Sequence, residues 1–177
     1  MKTVVGVMGP GSGATDKDRQ MAFELGRQIA SRGWVLLSGG RSVGVMDAVN
    51  QGAKQAGGLT IGVLPIDNTK DKVSEAVDVA IVTGMGSARN NINVLSSDVV
   101  IACGTLSSGT LSEVALAIKA NKRVILLSED EQGKRFVQRV GGGLVRNATT
   151  VDEAIVIAEN LLAEDVGHHQ GGSTGIV

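Results

Sequence analysis

Aromatic residues are scarce in this chain, which has one Trp, two Phe and no Tyr among its 177 residues. Proteins that recognise a nucleobase usually stack it on an aromatic face. None of the three aromatic residues, Phe23, Trp34 and Phe136, lies in a glycine-rich stretch. A site that reads a base by stacking is therefore disfavoured, although a sandwich of aliphatic side chains stays open, and we expect Trp34 to pack at the start of a strand.

Cysteine, unbalanced charge and long apolar runs are also missing. The single cysteine excludes an intrachain disulfide, and the chain enters an apolar run directly, without the pattern of a signal peptide, so we expect a cytoplasmic protein. No apolar run is long enough to cross a bilayer, which predicts no membrane partner. With 17 basic and 18 acidic residues there is no excess positive charge to bind nucleic acid.

Metal-ligating side chains are few. The only two histidines, His168 and His169, are adjacent in a glycine-rich tail, and no cluster of Cys and His accompanies them. We therefore predict no metal site. The tail, residues 166–177, is poor in apolar residues and is predicted to be disordered, after a single domain that covers residues 1–165.

Apolar runs typical of buried strands alternate along the chain with runs of helical period. The predicted strands are residues 3–8, 34–37, 59–64, 77–82, a run that starts at 99, 123–127 and a short one near 144–145. The predicted helices start near 15, 45, 88, 110 and 150, and Thr15 and Asp18 fit a cap-like pattern at the first of these starts. Residues 67–75 are predicted as a surface loop and 129–140 as polar chain with an uncertain helical turn. This alternation predicts a Rossmann-like, doubly wound α/β domain: a mainly parallel sheet with helices on both faces.

The most informative stretch, residues 99–120, combines a strand, a loop of Gly, Ser and Thr, and a helix. Backbone N–H groups at such a helix start can converge on a phosphate. The alternative is that Thr110 is only an N-cap, with Glu113 completing a capping box. The candidate ligand-binding residues here are Gly104, Ser107, Ser108, Gly109 and Thr110.

Two earlier strands also end in glycine-rich turns that open helices, and such turns share the carboxyl edge of a parallel sheet. They add Gly9, Gly11, Ser12, Gly39, Gly40 and Arg41 to the candidates. Arg41 either clamps a phosphate or is an exposed arginine in a turn. The first loop does not fit G-x-G-x-x-G and no acidic residue follows the second strand, so NAD binding is not expected.

A fourth glycine turn follows the fourth strand. Its candidate residues are Gly84, Met85, Gly86, Arg89 and Asn90. Arg89 is predicted in the first turn of a helix, where a cation opposes the helix dipole unless an anion compensates. Glu113 is the obvious carboxylate partner, and these two residues are the only candidates for catalysis. Cys103, at the end of the fifth strand, is interpreted as a small buried residue in preference to a metal-binding thiolate.

These residues resemble the superfamily that includes the LOG-type nucleotide phosphoribohydrolases, whose signature is P-G-G-x-G-T-x-x-E with an upstream arginine. Gly109, Thr110, Glu113 and Arg89 match that pattern. Thr105, Leu106 and Ser107 stand where the signature has Pro-Gly-Gly, so the phosphate cradle differs.

Within this superfamily, residues 1–165 resemble the molybdenum cofactor carrier proteins. The resemblance rests on the segments 6–11, 38–40, 44–46, 57–58, 83–86 and 88–90. It implies a protein without catalytic activity, a homodimer or homotetramer, that holds the molybdenum cofactor (molybdopterin) and shields it from oxidation. The phosphate of that cofactor suits a glycine loop, and its polar pterin needs no aromatic stack.

Three functions remain open at this point. The first is a carrier of molybdenum cofactor. The second is a phosphoribohydrolase that splits a nucleoside 5′-monophosphate, with Glu113 stabilising the sugar cation or positioning water and Arg89 orienting the glutamate or the phosphate. The third is a nucleotide-sensing domain without turnover. All three require a small phosphorylated ligand.

Overall fold

The computed structural model describes residues 1–65 and 73–170, the last six of these by their backbone alone. The described residues form seven strands and six α-helices. The strands are β1 Val4–Met8, β2 Val35–Ser38, β3 Thr60–Leu64, β4 Val79–Val82, β5 Val99–Cys103, β6 Arg123–Leu127 and β7 Val145–Ala148. The helices are α1 Asp16–Ser31, α2 Gly44–Gln55, α3 Asn90–Leu95, α4 Ser108–Lys119, α5 Glu131–Gly141 and α6 Val151–Gln170.

All seven strands are parallel and form one sheet in the order β4-β3-β2-β1-β5-β6-β7. Strands β1 to β4 follow one another towards one edge of the sheet. The chain then returns to the other side of β1, where β5, β6 and β7 follow one another towards the opposite edge. In such a sheet ligands bind where the direction of building reverses, beyond the carboxyl ends of the strands. The predicted Rossmann-like fold is confirmed, and its switch point lies between β1 and β5.

Two apolar layers cover the sheet because successive strand residues point to opposite faces. On one face, Val5 and Val7 of β1 pack with Leu25 of α1 and Ile155 of α6. On the other face, Met8 packs with a second layer that includes Val94, Val114 and Val137 from α3, α4 and α5. Trp34 is half-buried against the first layer, as predicted.

Helices α1 and α2 lie unusually close together. A Cβ atom built on Gly26 would collide with the carbonyl oxygen of Val49, and one built on Gly52 would collide with that of Phe23. This backbone-to-backbone packing leaves α1 and α2 little freedom to move relative to each other. The loops that precede the two helices, at the carboxyl ends of β1 and β2, are therefore held side by side.

The structure corrects several predicted boundaries. The segment predicted as polar chain, residues 129–140, and Gly141 after it contain the helix α5, which Asp130 caps by accepting hydrogen bonds from the amides of Gln132 and Gly133 at 3.1 and 3.0 Å. The glycines that follow form a 3-10 turn, Gly142–Leu144, before β7. The sequence pattern missed α5 because its surface is strongly polar.

Two other predicted segments extend beyond the described residues. Most of the surface loop predicted over 67–75, namely residues 67–72, lies outside them. The part inside is not simply solvated, because Ser74 is buried and its amide donates to the carbonyl of Gly40 at 2.9 Å. Helix α6 continues to Gln170, past the domain boundary predicted at residue 165, and residues 171–177 lie outside the description. No helix in the described part of the chain combines the length and apolarity that crossing a membrane requires.

Candidate functional site

A crevice of about 480 Å³ opens at the carboxyl edge of the sheet, over the switch point between β1 and β5. Its walls come from the loops after β1, β2, β3, β4 and β5, so turns far apart in sequence share one space. Eleven of the predicted binding residues line it: Gly9, Gly11, Ser12, Gly39, Arg41, Gly86, Arg89, Asn90, Ser107, Gly109 and Thr110. Glu113 also lines it.

Five predicted residues do not line this crevice: Gly40, Gly84, Met85, Gly104 and Ser108. Gly40 has a φ of +68° and lies against Gly62, where a Cβ would come within 2.7 Å of the neighbouring Cα. Gly104 has a φ of +87° and lies against Asp18. These two glycines shape the loops, since only glycine adopts such a conformation at little cost.

The prediction from sequence missed part of the apolar wall. Val7, Met8, Met46 and Pro65 line the crevice. The thioether sulfur of Met46 lies where a side chain on Gly39 would begin, 2.5 Å from an added Cβ. Met46 is the last residue of the glycine segment 44–46, on which the family resemblance partly rests, so the sequence did contain a signal for it. A methionine side chain carries no charge or strong hydrogen-bonding group, and its residue type therefore did not indicate a binding role. Pro10, Gly13, Ser87 and Thr105 complete the lining.

Helix α4 begins differently from the prediction. Ser107, not Thr110, is the N-cap residue, and its hydroxyl accepts a hydrogen bond from the Thr110 amide at 3.2 Å. Thr110 is almost fully buried and shares a 2.9 Å hydrogen bond with the Ser107 hydroxyl. Within the described residues, the first-turn amides of Ser108 and Gly109 meet no protein acceptor. The positive end of this helix is therefore open towards the crevice.

Helix α1 has the predicted capping box. The Thr15 hydroxyl accepts from the Asp18 amide at 3.1 Å, and the Asp18 carboxylate accepts from the Thr15 amide at 3.0 Å. The same carboxylate also accepts hydrogen bonds from the amide and the hydroxyl of Thr105, both at 3.2 Å. Asp18 thus joins the loop after β1 to the loop after β5, a link that its spacing in the sequence does not show.

Arg89, Asn93 and Glu113 form a buried group at the base of the crevice. Nη1 of Arg89 lies 3.4 Å from Oε1 of Glu113, and the side-chain amide of Asn93 donates to the same oxygen at 2.9 Å. Arg89 ends the 3-10 turn Gly86–Arg89 and so precedes α3 instead of lying in its first turn. Glu113 closes no capping box; it lies in the second turn of α4 and contacts α3.

Burial has the largest effect on the pKa values of both Glu113 and Arg89. It raises the pKa of Glu113, against the hydrogen bond from Asn93 and the charge of Arg89, which lower it. Burial also lowers the pKa of Arg89; the charge of Glu113 opposes that shift and the charge of Arg41 adds to it. Nε of Arg89 is buried and has no hydrogen-bond partner in the structure. Arg89 therefore lies in the wall of the crevice with one N–H group, at Nε, that donates to no atom of the described protein.

Cys103 is fully buried at the end of β5, and burial strongly raises the pKa of its thiol. A thiol that stays protonated in the core cannot act as a thiolate ligand. The interpretation as a small buried strand residue is confirmed. Elsewhere in the described chain, no group of three or more His, Cys, Asp or Glu side chains is arranged to hold a metal ion.

Comparison with known proteins connects this fold to a family. The model of the SLOG cluster4 family matches residues 2–157. The structure of the molybdenum cofactor binding protein from the phototrophic bacterium Rippkaea orientalis is 54% identical, with a TM-score of 0.89 over 92% of this chain and 98% of that one. The molybdenum cofactor carrier protein of Chlamydomonas reinhardtii is 50% identical, with a TM-score of 0.86 over 92% and 99% of the two chains.

A phosphoribohydrolase similarity is present but short. The cytokinin riboside 5′-monophosphate phosphoribohydrolase of Mycobacterium tuberculosis is 48% identical over 46 residues, which are 26% of this chain and 25% of that protein. The resemblance to the molybdenum cofactor carrier proteins, within the LOG-like superfamily, is confirmed by the near full-length matches. The chain belongs to the SLOG cluster4 family and is a relative of the molybdenum cofactor carrier proteins.

Proposed function

We propose that this protein binds molybdenum cofactor in the crevice at the switch point and carries it without chemical turnover. The observation that carries the proposal is the open N-terminus of α4 beside the unsatisfied Arg89, in a fold shared over 92% of the chain with a molybdenum cofactor binding protein. Such a crevice offers several donors and an excess of positive charge. It suits a ligand that brings its own anionic groups.

The residues present fit the two organic parts of this cofactor. The phosphate would bind at the N-terminus of α4, where the free amide of Gly109, which lines the crevice, and the neighbouring free amide of Ser108 act together with the helix dipole. Gly109 leaves room for it, because a Cβ added there would have only Ser107 Oγ nearby, at 3.8 Å. The pterin ring, which carries amide-like donors and acceptors, would lie against polar backbone, Asn90 and the apolar surface of Met46. An aromatic stack is not needed.

The state of Glu113 favours binding without turnover. Its side chain is 8% exposed, and both Arg89 and Asn93 hold the same carboxylate oxygen. A general base or a group that stabilises a sugar cation must reach the substrate. A carboxylate held in this way instead fixes α3 against α4 and keeps the crevice in shape.

The direct test is retention of cofactor. The full chain, mixed anaerobically with molybdenum cofactor and passed over a sizing column, should elute with about one molybdopterin per binding site, measured as its fluorescent oxidation product. A shielding role also predicts that bound cofactor survives exposure to air longer than free cofactor. Elution without pterin under these conditions would refute the proposal.

A phosphoribohydrolase is the second candidate, because the Arg89–Glu113 pair lies in the crevice and the short match to the Mycobacterium enzyme supports it. Under this alternative the protein releases adenine from AMP, and Glu113→Ala abolishes the release. Chromatography of the reaction products decides between the candidates. Absence of free base, with cofactor retained, favours the carrier.

We also propose that the protein forms a homodimer or homotetramer through the edge of β4. All four residues of this strand are exposed, and Val79, Ile81 and Val82 stay 45%, 43% and 40% accessible. A strand that is apolar on both faces and lies at an open edge favours pairing with the same strand of a second copy. Ile81→Lys should lower the mass measured by light scattering, whereas Val156→Lys, at an exposed valine on α6, should not.

A further inference from the structure

The charges in the crevice do not balance. Three of the residues that line it are charged: Arg41, Arg89 and Glu113. Arg89 and Glu113 form the buried pair described above. Within the described residues, the Arg41 side chain has neither a hydrogen bond nor an ion pair with protein, although its backbone bridges to Val73. Among the described residues, the crevice therefore has one positive charge without a partner, in addition to the positive end of α4.

The two arginines lie near each other. The charge of Arg41 makes the protonated form of Arg89 less favourable, and Arg89 itself reaches the loop after β2, where an atom added to Gly39 would come within 2.7 Å of its guanidinium. Two guanidinium groups on one wall repel each other in a partly buried site. The arrangement costs stability unless an anion or another electron-rich group binds between them.

Arg41 and the N-terminus of α4 lie on different sides of the crevice, and Arg89 lies between them, because it pairs with Glu113 of α4 and also reaches the loop after β2. Arg41 follows β2, α4 follows β5, and β1 separates those strands in the sheet. Two strand spacings correspond to about 10 Å between these positions at the carboxyl edge. The backbone at these two positions is therefore farther apart than one phosphate group spans, and a ligand with two anionic groups can contact both sides at once.

We propose that Arg41, together with Arg89, binds a second anionic or strongly electron-rich group of the ligand, opposite the phosphate held by α4. This inference rests on the proposed function and deepens it: the crevice selects elongated ligands with an anionic group at each end. In molybdenum cofactor that second group is the metal-bearing dithiolene end. A nucleoside monophosphate has no such group and leaves Arg41 unused.

Simple probes test this without the cofactor. Calorimetry compares hexane-1,6-diyl bisphosphate with hexyl monophosphate on the full chain. The wild type should prefer the bisphosphate by about tenfold or more, as expected for one added charge-assisted contact. Arg41→Gln should remove the preference while the affinity for the monophosphate stays within about twofold. Arg41→Lys should keep part of the preference, since it retains the charge without the planar fork.

The matched control is Arg27→Gln, which removes one positive charge from the exposed surface of α1. It should leave both affinities unchanged. A wild type that binds the two probes equally, or an Arg41→Gln variant that keeps the preference, would overturn the inference. The carrier proposal has its own readout: if the bisphosphate preference depends on Arg41 but cofactor is not retained, only the proposed function fails.

Discussion

Two helices, α1 and α4, start at the crevice after glycine-rich loops, yet their N-termini are in opposite states. At α1 the carboxylate of Asp18 occupies the helix start, where it accepts from the amide of Thr15 and from Thr105 of the other loop. At α4 the carboxylate of Glu113 is turned inward to Arg89, and no carboxylate of the described residues lies at the helix start. The first-turn amides of both helices, Asp16 and Lys17 in α1 and Ser108 and Gly109 in α4, meet no protein acceptor in the described structure, so the two helix starts differ in the carboxylate and not in free amides. A glycine loop before a helix is therefore a ligand site only where the protein has not supplied the anion itself.

The difference separates structural from ligand-binding roles within one pocket. At the start of α1, the hydrogen bonds of Asp18 connect the loop after β1 to the loop after β5. The α4 end is the position at which we propose that the phosphate of the ligand binds. Variants at the start of α1 should therefore lose free energy of unfolding, and variants at the start of α4 should lose affinity for the anion. Variants of Glu113 should lose both.

The largest effect is expected from Glu113→Ala. Removing this carboxylate leaves Arg89 as a buried charge without its partner, which costs about 3–5 kcal/mol of unfolding free energy. Urea denaturation followed by circular dichroism measures the loss. Glu24→Ala, which removes the partner of an exposed arginine on α1, serves as control and should change little. Equal stability of the two variants would mean that Glu113 does not stabilise the fold through its contacts with α3.

Asp18→Ala should come next. The change removes a helix cap and leaves the partly buried amide of Thr105 without an acceptor, for a combined loss of about 2–3 kcal/mol. Asp16→Ala, at an exposed acid in the same turn, is the control. Hydrogen exchange at Thr105 adds a local readout, since its amide should lose protection. If that amide stays protected, Asp18 does not join the two loops.

A smaller effect is expected from pH. Because the pKa of Glu113 is raised in the folded state, the native protein binds more protons than the unfolded chain above about pH 4.3, the ordinary pKa of glutamate. Its contribution to stability is therefore lost as pH rises through the interval between the unfolded and folded pKa values. Glu113→Gln should lack this loss. Parallel pH dependence of the two proteins in urea titrations would contradict the raised pKa.

The smallest stability change, and the sharpest test of the difference between the helices, comes from Gly109→Ala and Gly13→Ala. Added Cβ atoms meet no close contact at either position, so neither variant should lose more than about 0.5 kcal/mol. Gly109→Ala should weaken binding of inorganic phosphate by about tenfold, because the methyl group occupies the approach to open amides. Gly13→Ala should not. Equal losses would show that both loops contact the anion.

Prediction from the sequence succeeded where local patterns decide. The strands and the capping box at Thr15 follow from residue type and spacing alone, and so does the convergence of glycine loops at one sheet edge. It left Thr110 and Glu113 open between a phosphate site and a capping box, because these two residues satisfy the capping-box pattern equally well, and only the structure excludes the box. There the competing N-cap Ser107 and the contacts of Glu113 with Asn93 and Arg89 come from other turns and another helix. Asp18 shows the same limit, because its contact with Thr105 spans 87 residues.

The order of apolar and polar residues by itself determined the parallel α/β architecture, since periods of two and of about 3.6 can bury their apolar faces only as strands covered by helices. Only the tertiary structure decided which helix start carries a carboxylate of the protein, and that Arg41 lies near Arg89 with no side-chain partner among residues 1–65 and 73–170. These properties depend on which charges meet across the switch point. Coulomb interactions and desolvation act through space, and no local pattern along the chain encodes them.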